Sequence, residues 1–214
     1  MFVHTQDVFP EHSFSTAYIS LMKNTSLLLL AGLLALATAP AAHAQSGSSA
    51  PAQGETPNDA DLKTRKLPSV TVRTLAGKPI SSTELPGVGK GKPVIISFWA
   101  TWCKPCIAEL SNIHELFPDV EAETGVTLIA MSIDDARNAA KVGPLARGRG
   151  WTYPVFLDQN QDLKRSLNVN NVPHTFLLDG AGNIVWQHNA YNEGDETYLL
   201  DLVRKVAKGE AIKQ

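Results

Sequence analysis

The fold is decided by nine residues at positions 98–106, which read FWATWCKPC. An apolar run at positions 94–99, VIISFW, leads into the first cysteine and is typical of a buried central strand. We predict that a helix begins near Cys103 and extends to about Ala122. Two thiols at positions i and i+3 of a first helical turn lie on one face, close enough to form a disulfide with little backbone movement. The segment therefore predicts a dithiol at a strand-to-helix junction.

Cys103 is expected to be the reactive thiol of the pair. It lies at the helix N-terminus, whose free N–H groups and dipole stabilise a thiolate, and Lys104 adds a positive charge beside it. A free thiol has a pKa of about 8.5, and such surroundings lower it to neutrality or below. Cys103 would then attack a disulfide, and Cys106 would resolve the mixed disulfide that results.

Two other interpretations of the cysteine pair compete with redox chemistry. A C-x-x-C can be half of a zinc site, but the chain has 2 cysteines in all, so a second pair is lacking. An inert structural disulfide would close so short a loop that it would restrict the unfolded chain very little. We therefore expect a redox-active disulfide between Cys103 and Cys106.

A second motif, NVPHT at positions 171–175, opens a later strand with a proline. A proline in that place is ordinarily trans, but together with a redox C-x-x-C a cis Val172–Pro173 bond becomes the better explanation. Such a bond would present the backbone of Val172 for pairing with an extended substrate. Val172 and Pro173 are therefore predicted to bind substrate.

The rest of the pattern predicts an α/β fold with a mixed central sheet flanked by helices. A β-hairpin at about 70–81 comes first, strands and helices then alternate, and a second hairpin precedes a final helix from about Asp195 to Ala207. Strands separated by helices require parallel pairing in the middle of the sheet. The helix after Cys103 is expected to bury an apolar stripe made of Leu110, Ile113, Leu116 and Phe117.

These motifs resemble the thioredoxin superfamily, and more narrowly the TlpA/ResA-like secreted thiol–disulfide oxidoreductases. The resemblance covers about residues 67–206 and rests on W-C-x-P-C after an F-W-A strand, on the later V-P, and on the N-terminal hairpin. It implies a thioredoxin fold with an N-terminal β-hairpin and an inserted β–α element between the C-x-x-C and the proline. It also implies that Cys103 is the nucleophile, Cys106 the resolving thiol and Pro173 the cis-proline.

The resemblance assigns a role to Glu109 as well. In the ResA-like branch, a glutamate three residues after the second cysteine tunes the thiols and shuttles protons, and Glu109 occupies that position. Cytosolic thioredoxins carry a buried aspartate where this chain has Ser97, so proton handling would fall to Glu109 or to water. The alternative for Glu109 is an ordinary solvated charge on the helix.

Two residues are expected to line the substrate groove. Trp102 flanks Cys103, and we place it at the active-site surface. His174 follows the proline, where this branch usually has threonine. An imidazole beside the dithiol could take a proton or complete a Cys2His metal site, and otherwise it only lines the groove.

Composition and charge exclude several classes of protein. Of 214 residues, 43% are hydrophobic and 19% charged, and 19 basic and 21 acidic side chains give a net charge of −2. The chain is therefore neither disordered throughout nor a multi-span membrane protein, and scattered Lys and Arg give no nucleic-acid surface. Two cysteines cannot make a disulfide-dense scaffold.

An export signal is expected near the N-terminus. A lysine precedes an apolar run at 27–39, which is too short to span a bilayer comfortably, and A-H-A at 42–44 follows as a cleavage signal. We predict a start at Met22, cleavage between Ala44 and Gln45, and a periplasmic location. An uncleaved membrane anchor is the alternative.

The chain is thus expected to have three parts. Residues 1–44 are an upstream extension and signal peptide, and residues 45–61, rich in Ser, Gly, Pro and Ala, form a flexible linker. Residues 62–214 form the thioredoxin-like domain, which is long enough to bury a core.

The function predicted from the sequence is a periplasmic thiol–disulfide oxidoreductase that reduces protein disulfides through Cys103 and Cys106. The family's pattern implies a membrane thiol-transfer protein as electron donor, and apocytochrome c as one possible substrate. We expect a monomer with no cofactor, no resident metal and no nucleic-acid partner. The alternatives are a thiol peroxidase, which shares the fold, and a Cu(I) chaperone that uses the dithiol with His174.

Overall fold

The apolar run that leads into the C-x-x-C becomes an interior strand, fifth in order, of a seven-stranded sheet. The computed structural model describes residues 65–212. Its strands are β1 Thr71–Thr74, β2 Pro79–Ser81, β3 Val94–Trp99, β4 Thr127–Ser132, β5 Val155–Leu157, β6 His174–Leu178 and β7 Ile184–Asn189. Its helices are α1 Lys104–Thr124, α2 Ala139–Gly148, α3 Asp162–Ser166 and α4 Asp195–Ala207, and a 3₁₀ turn covers Ser82–Glu84.

The sheet is mixed, as predicted, and its strand order is β2-β1-β5-β4-β3-β6-β7. β3 pairs in parallel with β4 and antiparallel with β6, and β4 pairs in parallel with β5. The hairpin β1–β2 joins one side through β5, and the hairpin β6–β7 closes the other. The N-terminal hairpin is therefore confirmed. α2 and β5 lie between β4 and α3 as the predicted inserted element.

The two strands that carry the candidate site are buried along their whole length. All six residues of β3 and all five of β6 are inaccessible to solvent or nearly so. Strands covered on both faces read as continuous apolar runs, which explains why β3 shows no polar alternation in the sequence. α1 and α4 pack against each other over the sheet.

The predicted apolar stripe of α1 is wrong at one position. Leu110, Ile113 and Phe117 are buried, but Leu116 is 43% exposed. At 100° per residue, Leu116 is rotated about 120° away from Leu110 around the helix. The buried face of α1 instead includes a carboxylic acid, Glu109.

The predicted export signal (1–44) and linker (45–61) lie outside the described residues. The described part of the chain falls within the predicted domain at 62–214. Within residues 65–212, none of the helices combines the length and the apolar character needed to cross a lipid bilayer.

Candidate active site

Cys103 and Cys106 form a disulfide where β3 passes into α1, with their Cα atoms 5.3 Å apart. Cys103 caps α1, and its Sγ accepts the backbone N–H of Cys106 at 3.3 Å. Cys106 is fully buried, whereas Cys103 retains 5% of its exposed surface. The less buried cysteine of the pair therefore occupies the place where helix N–H groups and the helix dipole stabilise a thiolate.

A buried carboxylate holds the turn that leads into Cys103. Asp134, which follows β4, accepts the backbone N–H of Thr101 at 2.9 Å and its hydroxyl at 2.7 Å. The Ser132 hydroxyl donates to the same carboxylate at 2.9 Å. The N–H of Cys103 closes the turn by donating to the Ala100 carbonyl at 3.0 Å. Asp134 thus fixes the segment from which the reactive cysteine projects.

Sequence reasoning missed Asp134. Its only local signal was an acidic residue at the carboxyl end of a buried strand, Val126–Ile133 by its pattern. Parallel pairing of β3 with β4 brings that strand end beside the C-x-x-C.

The predicted substrate-binding segment lies against the dithiol. The Val172–Pro173 peptide bond is cis, as predicted. The carbonyl oxygen of Val172 is 3.8 Å from Cys103 Sγ. The N–H of Ala190 donates to the Pro173 carbonyl at 3.0 Å, so the end of β7 supports this segment. Trp102 is 65% exposed next to Cys103 and offers an aromatic surface there.

Glu109 lies one helical turn beyond the dithiol, on the buried face of α1. Its Oε1 accepts the Thr175 hydroxyl at 2.8 Å, and its Oε2 accepts the Ser97 hydroxyl at 3.1 Å. Burial raises the pKa of Glu109 to about 7, while the hydrogen bonds from Thr175 and Ser97 oppose that rise. A carboxyl group with this pKa can both accept and release a proton at neutral pH.

Two further carboxylates lie near Glu109, at the start of α4. The negative charges of Asp195 and Glu196 raise the pKa of Glu109 further. Glu196 accepts the Tyr191 hydroxyl at 2.8 Å, and that hydroxyl accepts the amide N–H of Asn112 at 2.6 Å. This relay connects the loop after β7 to α1, and sequence reasoning did not find it.

His174 lies on the other face of the sheet from Glu109. Successive strand residues point to opposite faces, and the next residue, Thr175, donates to Glu109. The His174 ring stacks on Phe176 with centroids 4.6 Å apart. Burial lowers the pKa of His174 to about 4, and the side chain of Gln187 partly offsets that effect. The imidazole is therefore neutral at physiological pH.

The Cys2His set considered for copper is not assembled. Over residues 65–212, no three His, Cys, Asp or Glu side chains are grouped so that they could hold a metal ion together. The structure thus brings Cys103, Cys106, Val172 and Pro173 together, and it places His174 apart from the buried acid.

Comparisons with known sequences identify relatives of this chain. Residues 64–187 match the AhpC/TSA family. The thiol-disulfide oxidoreductase ResA of Bacillus thuringiensis (strain Al Hakam) is 36% identical over 123 residues, which cover 58% of this chain and 67% of that protein. The thioredoxin-like protein YneN of Bacillus subtilis is 31% identical over 121 residues, 56% of this chain and 67% of YneN.

Solved structures of thioredoxin-like proteins are also similar to this chain. An uncharacterized thioredoxin-like protein from Porphyromonas gingivalis has a TM-score of 0.60 and 49% identity, over 66% of this chain and 92% of its own. A thiol:disulfide interchange protein of the thioredoxin family from Chlorobium tepidum has a TM-score of 0.52 and 26% identity, over 67% and 95% of the two chains.

Proposed function

The chain belongs to the AhpC/TSA family of thioredoxin-like proteins and is a thiol–disulfide oxidoreductase, and from this premise we propose that it reduces disulfides of exported proteins. One observation carries the proposal. Cys103, the less buried cysteine, caps α1 with its sulfur, while a buried acid with a pKa near 7, Glu109, lies one turn beyond Cys106. Such a site has a nucleophile, a resolving thiol and a proton carrier.

The reaction begins from the dithiol form. The Cys103 thiolate attacks one sulfur of the substrate disulfide, a new S–S bond forms between them, and the old bond breaks. Its electron pair leaves with the second substrate sulfur, which takes up a proton. The Cys106 thiol then gives its proton to ionised Glu109 and attacks Cys103. That step releases the other substrate thiolate and leaves the Cys103–Cys106 disulfide, so two electrons have passed to the substrate.

Substrate binding is proposed to use the surface around Cys103. An extended segment would lie beside Val172, whose carbonyl is within 4 Å of the reactive sulfur. Trp102 would cover the other side, because an exposed aromatic side chain supplies apolar contact area to a bound segment. The site therefore suits a locally unfolded protein segment.

The working environment is also part of the proposal. The apolar run at 27–39 and the cleavage signal at 42–44 support export to the periplasm with a mature chain that begins at Gln45. Each cycle ends in the disulfide form, so a dithiol donor must restore the dithiol. A membrane thiol-transfer protein would fill that role. Apocytochrome c and misoxidised exported proteins are the two substrate classes to compare.

The reduction potential of the Cys103–Cys106 couple tests the direction of the reaction. The mature protein is equilibrated with glutathione or dithiothreitol buffers, and its oxidised fraction is measured. We expect a value at or below about −250 mV, close to that of thioredoxin. A value close to about −120 mV would make the protein a disulfide donor instead. Cys106→Ser is the matched control, since one thiol cannot form the intramolecular couple.

A further inference from the structure

A groove that the proposed reaction does not use runs along the outer edge of β7. It has a volume of about 380 Å³ and is lined by Trp186, Gln187, His188, Asp195 and Tyr198. Successive strand residues point to opposite faces, so a groove lined by three of them in a row follows the strand edge. β7 is the last strand of the described sheet. Apart from β6, the described residues that pair with it meet only its beginning, where Lys66 bridges Asn183 and the Arg65 carbonyl accepts the Ile184 N–H at 2.8 Å. The outer N–H and C=O groups of β7 beyond Ile184 can therefore pair with an added strand.

The walls of this edge groove are aromatic. The Trp186 ring stacks on His188 with centroids 5.7 Å apart, and Tyr198 meets the edge of Trp186 at 6.3 Å. Trp186 is almost covered by these neighbours, but Tyr198 is 52% exposed. The ring of Tyr198 is therefore the open aromatic surface of the groove.

The acidic residue of the edge groove, Asp195, uses only one of its two carboxylate oxygens in contacts with described residues. Asp195 Oδ2 accepts the backbone N–H of Asn192 at 2.7 Å and lies 3.5 Å from His188 Nε2. Its Oδ1 makes no hydrogen bond to any described residue. An acceptor beside an exposed tyrosine ring suits a cation, because both the carboxylate charge and the aromatic face attract positive charge.

The chain segment around Asp195 is negatively charged as well. Residues 166–203, which include β6, β7 and most of α4, contain five acidic residues and no Lys or Arg. Apart from His188 beside Oδ2, that segment offers Asp195 no basic partner. The five are Asp179, Glu193, Asp195, Glu196 and Asp201.

We propose that the edge groove binds a lysine or arginine side chain of an extended segment of the protein substrate, which pairs along β7. The cation would contact Asp195 Oδ1 and the ring of Tyr198. This substrate class rests on the proposed function, since that function supplies the protein whose disulfide is reduced. The enzyme would then favour disulfides with a basic residue nearby.

The edge groove is connected to the dithiol by a short chain of contacts. His188 is the cross-strand partner of Thr175, and the Thr175 hydroxyl donates to Glu109. Glu109 lies three residues after Cys106 on α1. Asn189, the last residue of β7, pairs with His174 beside Pro173, so a segment held along β7 would end one strand away from the cis-proline.

Binding is tested first, in a form that does not depend on turnover. The oxidised full chain, labelled with ¹⁵N, is titrated with the cysteine-free peptide Ac-Val-Thr-Lys-Thr-Val-amide and with the same peptide carrying norleucine in place of lysine. We expect the indole N–H resonance of Trp186 to shift with the lysine peptide, which should bind about 5-fold more tightly. Equal binding of the two peptides, or no shift with either, would overturn the proposal.

Variants then assign the contact. Asp195→Asn and Tyr198→Ala should each remove most of the preference for lysine. Asp201→Asn is the matched control, because Asp201 lies on the same helix but bonds to Arg204 and does not line the groove. A preference for lysine that persists in Asp195→Asn would contradict the proposed contact.

Turnover separates this proposal from the proposed function. Two disulfide peptides that differ only by lysine or norleucine near one cysteine are compared by kcat/KM, with an expected ratio of about 5 for the wild type. Equal reduction of both peptides would refute the groove and leave the reductase intact. Reduction of neither, with lysine binding still present in the titration, would refute the reductase and leave the groove.

Discussion

Among single residues, Glu109 shows best how opposing local effects are combined. Removal from water favours its neutral form, whereas hydroxyl donors from Ser97 and Thr175 favour its charged form. Burial is the larger effect, so its pKa lies near the pH at which the enzyme is proposed to act. The neighbouring strands β3 and β6 each contribute one of these donors, Ser97 and Thr175.

The first prediction concerns Glu109→Gln and stability. The pKa of Glu109 rises from 4.5 to about 7 on folding, so the folded protein binds the extra proton between these values. The stabilisation is complete below about pH 4.5 and is lost as the pH rises through 7, by about 3 kcal/mol in all. Relative to Glu109→Gln, the wild type should thus become less stable between pH 4.5 and 7. Urea unfolding at a series of pH values measures this difference.

Thr175→Val is the companion variant for this test. It removes a hydrogen bond that lowers the pKa of Glu109, so the loss of stability should still begin near pH 4.5 but continue to higher pH and be larger in total. A stability difference between wild type and Glu109→Gln that does not change with pH would contradict the raised pKa.

The second prediction concerns the order of the two thiols. Cys106 is fully buried and Cys103 is not, so only Cys103 can meet a substrate sulfur first. Cys106→Ser should therefore accumulate a mixed disulfide with a substrate peptide, because nothing resolves it. Cys103→Ser should form none. Mass spectrometry of the acid-quenched reaction measures the adducts, and abundant adduct with Cys103→Ser would reverse the assignment.

At the scale of elements, the strand ends determine where the reactive groups lie. The turn between β3 and α1 is tied to the end of β4 by Asp134, and the start of β6 is tied to the end of β7 by Ala190. Both contacts are hydrogen bonds from backbone N–H groups that would otherwise need water as their acceptor. The site is consequently supported by the sheet and not by the loops alone.

The third prediction tests the tie to β4. Asp134→Ala leaves the N–H and hydroxyl of Thr101 without their acceptor, and each unsatisfied buried donor costs about 1–3 kcal/mol. We expect a loss of about 3 kcal/mol in the free energy of unfolding and slower substrate reduction. Asp119→Ala, on the exposed surface of α1, should change stability by less than about 0.5 kcal/mol. Equal stabilities of the two variants would contradict the role given to Asp134.

The fourth prediction concerns a close approach of two glycines at the β6–β7 turn. A Cβ on Gly180 would lie 2.6 Å from the carbonyl carbon of Gly91, and backbone cannot move aside as a flexible side chain can. Gly180→Ala should therefore destabilise the protein by about 2 kcal/mol or more. Gly148→Ala is the matched control, since no atom lies within 4 Å of the added methyl group in α2. Thermal unfolding compares the two, and similar melting temperatures would contradict the expectation.

At the scale of the whole molecule, local patterns predict the elements better than they predict contacts between them. The apolar run of β3 and the C-x-x-C that follows give the strand, the helix and the dithiol directly. The bond from Thr101 to Asp134 joins residues 33 positions apart, and the one from Asn112 to Tyr191 spans 79. No periodicity encodes such pairs, because they depend on which strands become neighbours.

The position of His174 shows a related limit. The sequence places it next to a cis-proline, but which face it takes depends on the phase of the strand that begins there. Since Thr175 faces α1, His174 must face away, and it packs on Phe176. His174 therefore follows Pro173 in the sequence but does not lie beside Glu109 in the structure.

The fifth prediction concerns the mature chain. If the segment at 42–44 is a cleavage signal, the exported protein should begin at Gln45 when the gene is expressed in a host with a periplasm. N-terminal sequencing and intact mass of the periplasmic fraction measure this. Recovery of the chain only in membranes, with its leader intact, would favour the retained anchor.

The two ends of the sheet differ in a way that bears on self-association. β7 has six residues, whereas the opposite end is β2, with three residues of which the first, Pro79, has no N–H to donate. A strand edge usually endangers a protein because identical copies can stack edge to edge into fibrils. Here a second copy could pair its own β7, which would use up both long edges and close a dimer, or offer β2, which is short and incomplete. The protein can thus leave β7 open to other chains without polymerising through its strand edges.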